Sequence, residues 1–246
     1  EEKGIFKENG LDVELEMFDT AQPLMDALCG GKLDVAGYTA FPIIFSAQLR
    51  SKTDLYYATA IMEDDTHPIS MFMVKKDSSI GSIKDLKGKK IRVQGSPVAL
   101  ATLKDMGANS VAMGVSEVYS GMQTGVIDGA ENNPPTFIAH NYMPIAKNYT
   151  LSGHFITPEM LLYSKVKWDK LSADEQQKIL TLAREAQFEQ RKLWQAYNAE
   201  ALAKMKAGGV QFHEIDKSVF IKATEPVRAQ YGEKHQDLMK AIADVQ

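Results

Sequence analysis

Apolar and polar residues repeat along this chain with two different periods, one of strands and one of helices, and the two alternate from end to end. Residues 1 to 10 read as the end of a helix closed by Asn9-Gly10. Leu11 to Phe18 alternates apolar residues with mostly acidic ones, which is the strand period. Pro23 to Cys29 predicts a helix stopped by Gly30-Gly31, and Leu33 to Ala36 predicts a strand leading into Gly37-Tyr38-Thr39. Thr39 stands where it can cap a helix running through Ile43 to Leu49. Leu55 to Ile61 and Ile69 to Val74 predict two more strands, followed by a linker over Lys75 to Ser82.

The second half repeats the pattern. Lys89 to Val93 predicts a short strand that runs into Gln94-Gly95-Ser96-Pro97, where Ser96 can serve as a helix cap and Pro97 as the first helical residue. That helix extends to Met106 and stops at Gly107. Ser110 to Met113 predicts a strand, Ser116 caps a helix ending near Gly125, Val126 to Asp128 predicts a strand, and Asn132 to Pro135 the turn after it. Phe155 to Lys165 predicts a long strand crossing back between two lobes. Ser172 with Glu175 three residues later forms a capping box. The helix it opens runs to Lys206, is closed by Gly208-Gly209, and at about 1.5 Å per residue is long enough to span two lobes. Its apolar positions Ile179, Leu182, Ala183, Ala186 and Leu193 predict its core face. Val210 to Gln246 adds one short strand and one or two amphipathic helices.

Strands alternating with helices predict an α/β fold with mostly parallel sheets flanked by helices. In such sheets ligands sit beyond the carboxyl ends of the strands. The stretch Gly31 to Thr39 also echoes Gly125 to Asn133: both read Gly-x-apolar-Asp-x-Ala and then polar turn residues, so two lobes of similar design each present a turn toward a shared cleft. Chance similarity of two strand-turn units is the competing explanation.

Composition narrows the function. The chain has 28 Lys and Arg against 32 Asp and Glu, a net charge of -4, and no basic cluster longer than a pair, so nucleic acid is not an expected partner. A single cysteine, Cys29, excludes an internal disulfide and a cysteine-based metal cage. The five histidines lack metal-ligand spacing, and no nucleophile elbow, phosphate loop or dinucleotide fingerprint occurs. No catalytic residue, metal or cofactor is therefore assigned, and Asp34 and Asp128 read as strand-end residues bonding nearby backbone. No apolar run reaches the roughly 18 residues that cross a bilayer, and no signal peptide is present in the chain.

What remains is a candidate binding site. Arg92 sits inside the apolar run Ile91 to Val93, and a guanidinium in a strand needs either a solvated face or a planar anionic partner. A strand-edge arginine in water is the plain alternative. Gln94 and Ser96 follow it into a turn whose helix N-terminus favours an anion. Asn132 and Asn133, unless they are only turn chemistry, add neutral donors, and Tyr38 and Thr39 offer contacts from the other lobe.

From about Asp85 to the C-terminus the chain resembles the solute-binding proteins of TRAP (tripartite ATP-independent periplasmic) transporters. The residues that carry this are Asp85 to Val93 (DLKGKKIRV), Leu103 to Ala108 (LKDMGA), Ser116 to Tyr119 (SEVY) and Gln123 to Pro134 (QTGVIDGAENNP). The resemblance implies a two-lobed Venus-flytrap fold, with lobe one formed by residues 1–90 and 158–207 and lobe two by residues 91–157 and 208–246. It implies a periplasmic, monomeric, non-enzymatic protein that delivers a small organic acid to membrane permease subunits. Arg92 matches the family arginine that pairs with the ligand carboxylate and Asn132 the asparagine that also touches ligand. Val115 stands where the family often carries an aromatic. Residues 1 to about 84, with EKGIFKENGLDV and GKLDVA, resemble instead the first lobe of ABC-transporter binding proteins of the nitrate, sulfonate and thiamine-precursor type. That second resemblance implies a sulfonate or pyrimidine-like ligand.

Overall fold

Each strand among the described residues belongs to one of two sheets. The computed structural model describes residues 5–8, 10–18, 21–61, 71–75, 77–78, 80, 82–156 and 159–244. The chain opens with α1 (Ile5–Glu8), α2 (Ala21–Cys29), β1 (Val35–Ala40), α3 (Phe41–Ser51), β2 (Leu55–Ile61) and β3 (Met71–Val74). It continues through β4 (Lys90–Val93), α4 (Pro97–Asp105), β5 (Asn109–Ala112), α5 (Val118–Thr124), β6 (Gly129–Asn132), α6 (Pro134–Ala139) and β7 (Asn148–Thr150). It closes with β8 (Glu159–Ser164), α7 (Lys165–Trp168), α8 (Ala173–Ala207), β9 (Gln211–His213), α9 (Ser218–Ala223), α10 (Glu225–Gly232) and α11 (Gln236–Ala243).

The smaller sheet has the order β1-β8-β2 and is antiparallel throughout. Met25, Leu28, Ile44 and Leu162 form its core. The larger sheet has the order β5-β4-β6-β3-β7-β9, with β4 parallel to both β5 and β6, and β3 antiparallel to β6 and β7. Strand alternation splits its side chains between two layers. Ile91 and Val93 pack with Leu103 of α4 on one face. Met73, Ala130, Phe137 and Tyr142 pack on the other.

The long helix α8 links the sheets. Near its middle the Gln187 amide donates to the Ala60 carbonyl on β2, and toward its end Met205 enters the core of the larger sheet. Its start is the expected capping box, with Ser172 N–H donating to the Glu175 carboxylate at 2.8 Å and the Glu175 N–H donating to the Ser172 hydroxyl at 3.3 Å.

Several expectations shift. Residues 11–18 carry no regular structure, with Leu11 and Leu15 each 56% and Met17 92% exposed. Alternation makes a strand only where a neighbour takes its backbone hydrogen bonds and a core covers its apolar face, and the described residues supply neither. Thr39 lies inside β1, one residue short of the cap position of α3. The strand expected at 126–128 lies three residues later at Gly129–Asn132, because Gly125, with φ of 80°, and the two residues after it are spent turning out of α5. That places Asn132 at a strand end and starts a helix at Pro134. Met71–Val74, expected with lobe one, is hydrogen-bonded into the larger sheet between β6 and β7. Of the long strand expected over 155–165, residues 155–156 are irregular, 157–158 lie outside the described residues, Glu159–Ser164 form β8, and Lys165 already opens α7.

The core face of α8 is as expected at Ala183, which is buried, and in part at Ile179, which is half-buried, but not at the other three positions. Leu182 is 53% and Leu193 60% exposed, and Ala186 is exposed as well. The buried residues are Ala183, Asn198, Ala201 and Met205. The face that meets the sheets is thus partly polar, which hides it from an apolar count.

Candidate functional site

Parallel pairing brings the carboxyl ends of β4, β5 and β6 to one edge of the larger sheet. Val93 stands beside Ala112, and Arg92 beside both Val111 and Ala130, so Gln94, Met113 and Asn132 leave their strands side by side. Asp128 helps set this register: its carboxylate accepts the Lys90 N–H at 2.8 Å and its own N–H donates to the Lys90 carbonyl at 2.8 Å. Asp34 forms an exposed ion pair with Lys167 at 3.1 Å. Asp128 thus bonds nearby backbone as expected, whereas the Asp34 carboxylate pairs with a lysine side chain.

Arg92 is only 5% exposed, on the face of the sheet shared with Met73, Ala130 and Tyr142. Its Nε donates to the Met113 carbonyl at 2.8 Å, and one terminal nitrogen lies 3.7 Å from Oε1 of Glu131. A hydrogen bond in the plane of the guanidinium fixes that plane. Burial pulls the Arg92 pKa down and Glu131 opposes it, and a group with so high a starting value stays charged. The solvated strand-edge alternative does not hold.

The neighbouring residues divide between scaffolding and presentation. Ser96 is buried and caps α4, accepting from the Ala99 N–H at 3.4 Å, with Pro97 as first helical residue. Asn133 caps α6 in the same way, accepting from the Thr136 N–H at 2.8 Å. Asn132 at the end of β6 accepts the Asn133 N–H on its side-chain oxygen at 2.9 Å, while its carbonyl takes the Tyr149 hydroxyl at 2.8 Å. Gln94 is partly buried where the chain turns into α4. Val115 opens a short helical turn after β5, partly buried, and its carbonyl accepts the Tyr142 hydroxyl at 3.0 Å. Tyr38 and Thr39 lie on β1 of the smaller sheet, and their side chains fall outside the described residues.

Three residues near Arg92 were not singled out from the sequence. Glu131 is a carboxylate in a strand otherwise made of small residues, a signal that a correctly placed β6 makes visible. Tyr142 is fully buried and its phenol is pushed up to about 12 by burial, with Arg92 pulling the other way. His140 stacks on Tyr142 with ring centres 5.7 Å apart, and burial and then the Arg92 charge lower its pKa. An oriented, buried cation with tuned neighbours is suited to holding an anion, and among the described residues the groups around it include no nucleophile paired with a base. No metal cluster of His, Cys, Asp and Glu occurs among the described residues.

Comparison with known proteins agrees with this chemistry. Residues 71–235 match the family model described as bacterial extracellular solute-binding protein, family 7, and residues 1–130 match one described as NMT1/THI5 like. The fold is similar to a TRAP periplasmic solute-binding protein from Citrobacter koseri with bound D-glucuronate, at 55% identity and a TM-score of 0.84, covering 99% of this chain and 92% of that one. A Pseudomonas putida F1 protein of the same kind, also with bound D-glucuronate, is 34% identical with a TM-score of 0.85, covering 99% and 90%. A solute-binding protein of Chromohalobacter salexigens is 31% identical over 234 residues, 88% of this chain and 68% of that protein. The chain spans about half the length of further curated relatives. Because the C. koseri match runs over both sheets, the N-terminal part is similar to that protein as well as to the second family model.

Proposed function

The chain belongs to family 7 of the bacterial extracellular solute-binding proteins, the periplasmic binding proteins of TRAP transport, and from that premise we propose that it captures a hexuronate such as D-glucuronate by its carboxylate and delivers it to membrane permease subunits. The family binds solutes and performs no covalent chemistry. Arg92 clamps the carboxylate, with Asn132 and Gln94 addressing hydroxyls and Val115 an apolar wall. Tyr38 and Thr39 add contacts from the lobe built on the smaller sheet. The protein works as a monomer whose lobes close on the ligand, and the closed surface is what the permease reads.

The observation that carries this reading is the buried, plane-fixed guanidinium of Arg92 in a chain whose 55% identical solved relative holds D-glucuronate. Calorimetry with D-glucuronate, D-galacturonate and neutral D-glucose tests it. Both uronates should bind and glucose should not, since only the uronates supply the anion. Binding of glucose as tightly as the uronates would defeat the carboxylate assignment.

The NMT1/THI5-like match over residues 1–130 favours a second reading, an ABC-type binder of a sulfonate or pyrimidine-like ligand. A thermal-shift screen separates the two: stabilisation by a sulfonate or a pyrimidine, with none by uronates, selects the second.

A further inference from the structure

We infer that Tyr142 is a positioning residue for the ligand site, acting through the main chain of residues 113–115. The inference rests on the reading of Arg92 as the carboxylate clamp.

Three consecutive residues after β5 are each held by a side chain from a different part of the sequence. Arg92 on β4 donates from Nε to the Met113 carbonyl at 2.8 Å. The Glu117 carboxylate accepts the Gly114 N–H at 2.9 Å. Tyr142, beyond α6, donates its hydroxyl to the Val115 carbonyl at 3.0 Å. The segment that presents Val115 and the segment that orients the guanidinium are therefore one short stretch of backbone, pinned at three points.

With Arg92 5% exposed and Glu117 more so, Tyr142 is the most buried of the pins. Its side chain has no exposed surface. Phe137 meets the ring edge-on at 85° and His140 lies nearly parallel to it at 17°. Rings packed on two sides leave the hydroxyl one place to go, and burial keeps it a protonated donor. Without that hydrogen bond the Val115 carbonyl is free to shift, and Met113, two residues away, shifts the acceptor that sets the plane of Arg92. A two-pronged carboxylate contact tolerates little rotation of that plane.

A double-mutant cycle in D-glucuronate affinity tests this, using wild type, Tyr142→Phe, Glu117→Ala and the pair, with thermal melting as the check on folding. Tyr142→Phe keeps the ring and removes only the hydroxyl. We expect it to melt close to wild type and to bind about tenfold more weakly, the scale of one lost hydrogen bond. Glu117→Ala should weaken binding less. The pair should lose less than the product of the two, since both loosen the same three residues.

Wild-type affinity in Tyr142→Phe, or two losses that multiply independently, overturns the inference while leaving the uronate reading intact. A wild-type protein that binds no uronate overturns both. Hydrogen exchange on the wild type needs no variant: D-glucuronate should slow exchange of the amides of residues 113–117, and unchanged rates there count against the proposal.

Discussion

The guanidinium of Arg92 and the carboxylate of Glu131 face each other across 3.7 Å on neighbouring strands, their side chains only 6% and 7% exposed. At that separation the pair interacts as two charges and is not a closed hydrogen bond. Glu131 therefore offsets the burial of the cation, while the directional contact of Arg92 goes to Met113. The ligand carboxylate proposed to bind here would meet a cation that is already neutralised in part and already oriented.

Replacing Arg92 by lysine separates charge from shape. Arg92→Lys keeps one positive charge opposite Glu131 and loses both the Nε donor to Met113 and the planar fork. The variant should fold, and D-glucuronate affinity should fall by a hundredfold or more, about 3 kcal/mol. Calorimetry reads this directly, and affinity within a few-fold of wild type would remove Arg92 from the site.

Glu159, the first residue of β8, sits between Ala40 and Ile61 of its two neighbour strands, and burial raises its carboxyl above the usual 4.5. The folded protein thus holds this proton more tightly than the unfolded chain does. The stability it contributes is complete below the unfolded value and is lost as pH rises through the folded one. Glu159→Gln, which cannot ionise, should melt higher than wild type at pH 7, and the gap should close toward pH 4. A glutamine variant that is less stable than wild type at pH 7 would contradict this.

His140 responds to the same charge as the proposed ligand. Burial first, and then Arg92, hold its pKa below 6.5, so protonation favours the unfolded chain, and stability from this group is complete above 6.5 and lost as pH falls through the folded value. The imidazole NMR titration should have its midpoint below 6.5 in the free protein. Saturating D-glucuronate, by placing a carboxylate on Arg92, should move it upward. A midpoint that ignores ligand would argue for an anion bound elsewhere.

Gly129 opens β6 because nothing larger fits. A Cβ there would stand 2.8 Å from both the Met73 carbonyl oxygen and a Val74 methyl, and backbone of an interior strand cannot yield as a flexible side chain can. Gly129→Ala should cost about 1–3 kcal/mol in urea denaturation. Gly95→Ala, where a Cβ meets nothing within 4 Å, should stay within about 0.5 kcal/mol of wild type.

Local signals survived folding where their partners are local. The Ser96 cap, the Ser172 capping box and the glycine that ends α5 depend only on residues a few positions away, and all three appear where the sequence puts them. Arg92 was legible because a charge inside an apolar strand needs an explanation. Glu131, Tyr142 and His140 were not, because their importance lies in distance to Arg92, which sheet register creates for Glu131 and the chain path after α6 creates for the other two. Residues 11–18 show the converse: a correct strand pattern remains irregular without a neighbour among the described residues.

The phase of α8 gives the sharpest test of that distinction. Counting apolar residues selects Ala183, which is buried, and Ile179, which is half-buried, but also Leu182, Ala186 and Leu193, which lie on an exposed stripe, Leu193 at 60%. Contact falls on Ala183, Gln187, Asn198, Ala201 and Met205, spaced by 4, 11, 3 and 4 residues, so that all five share one face. Since a helix linking two sheets must satisfy polar strand edges as well as apolar cores, its inward face carries an amide for the Ala60 carbonyl. Leu193→Glu should therefore leave the melting temperature nearly unchanged, as expected for an exposed position. Met205→Ala removes a side chain with no exposed surface from the core of the larger sheet and should cost about 2–5 kcal/mol. If Leu193→Glu proved the more damaging of the two in urea denaturation, the helix would be rotated from the orientation described.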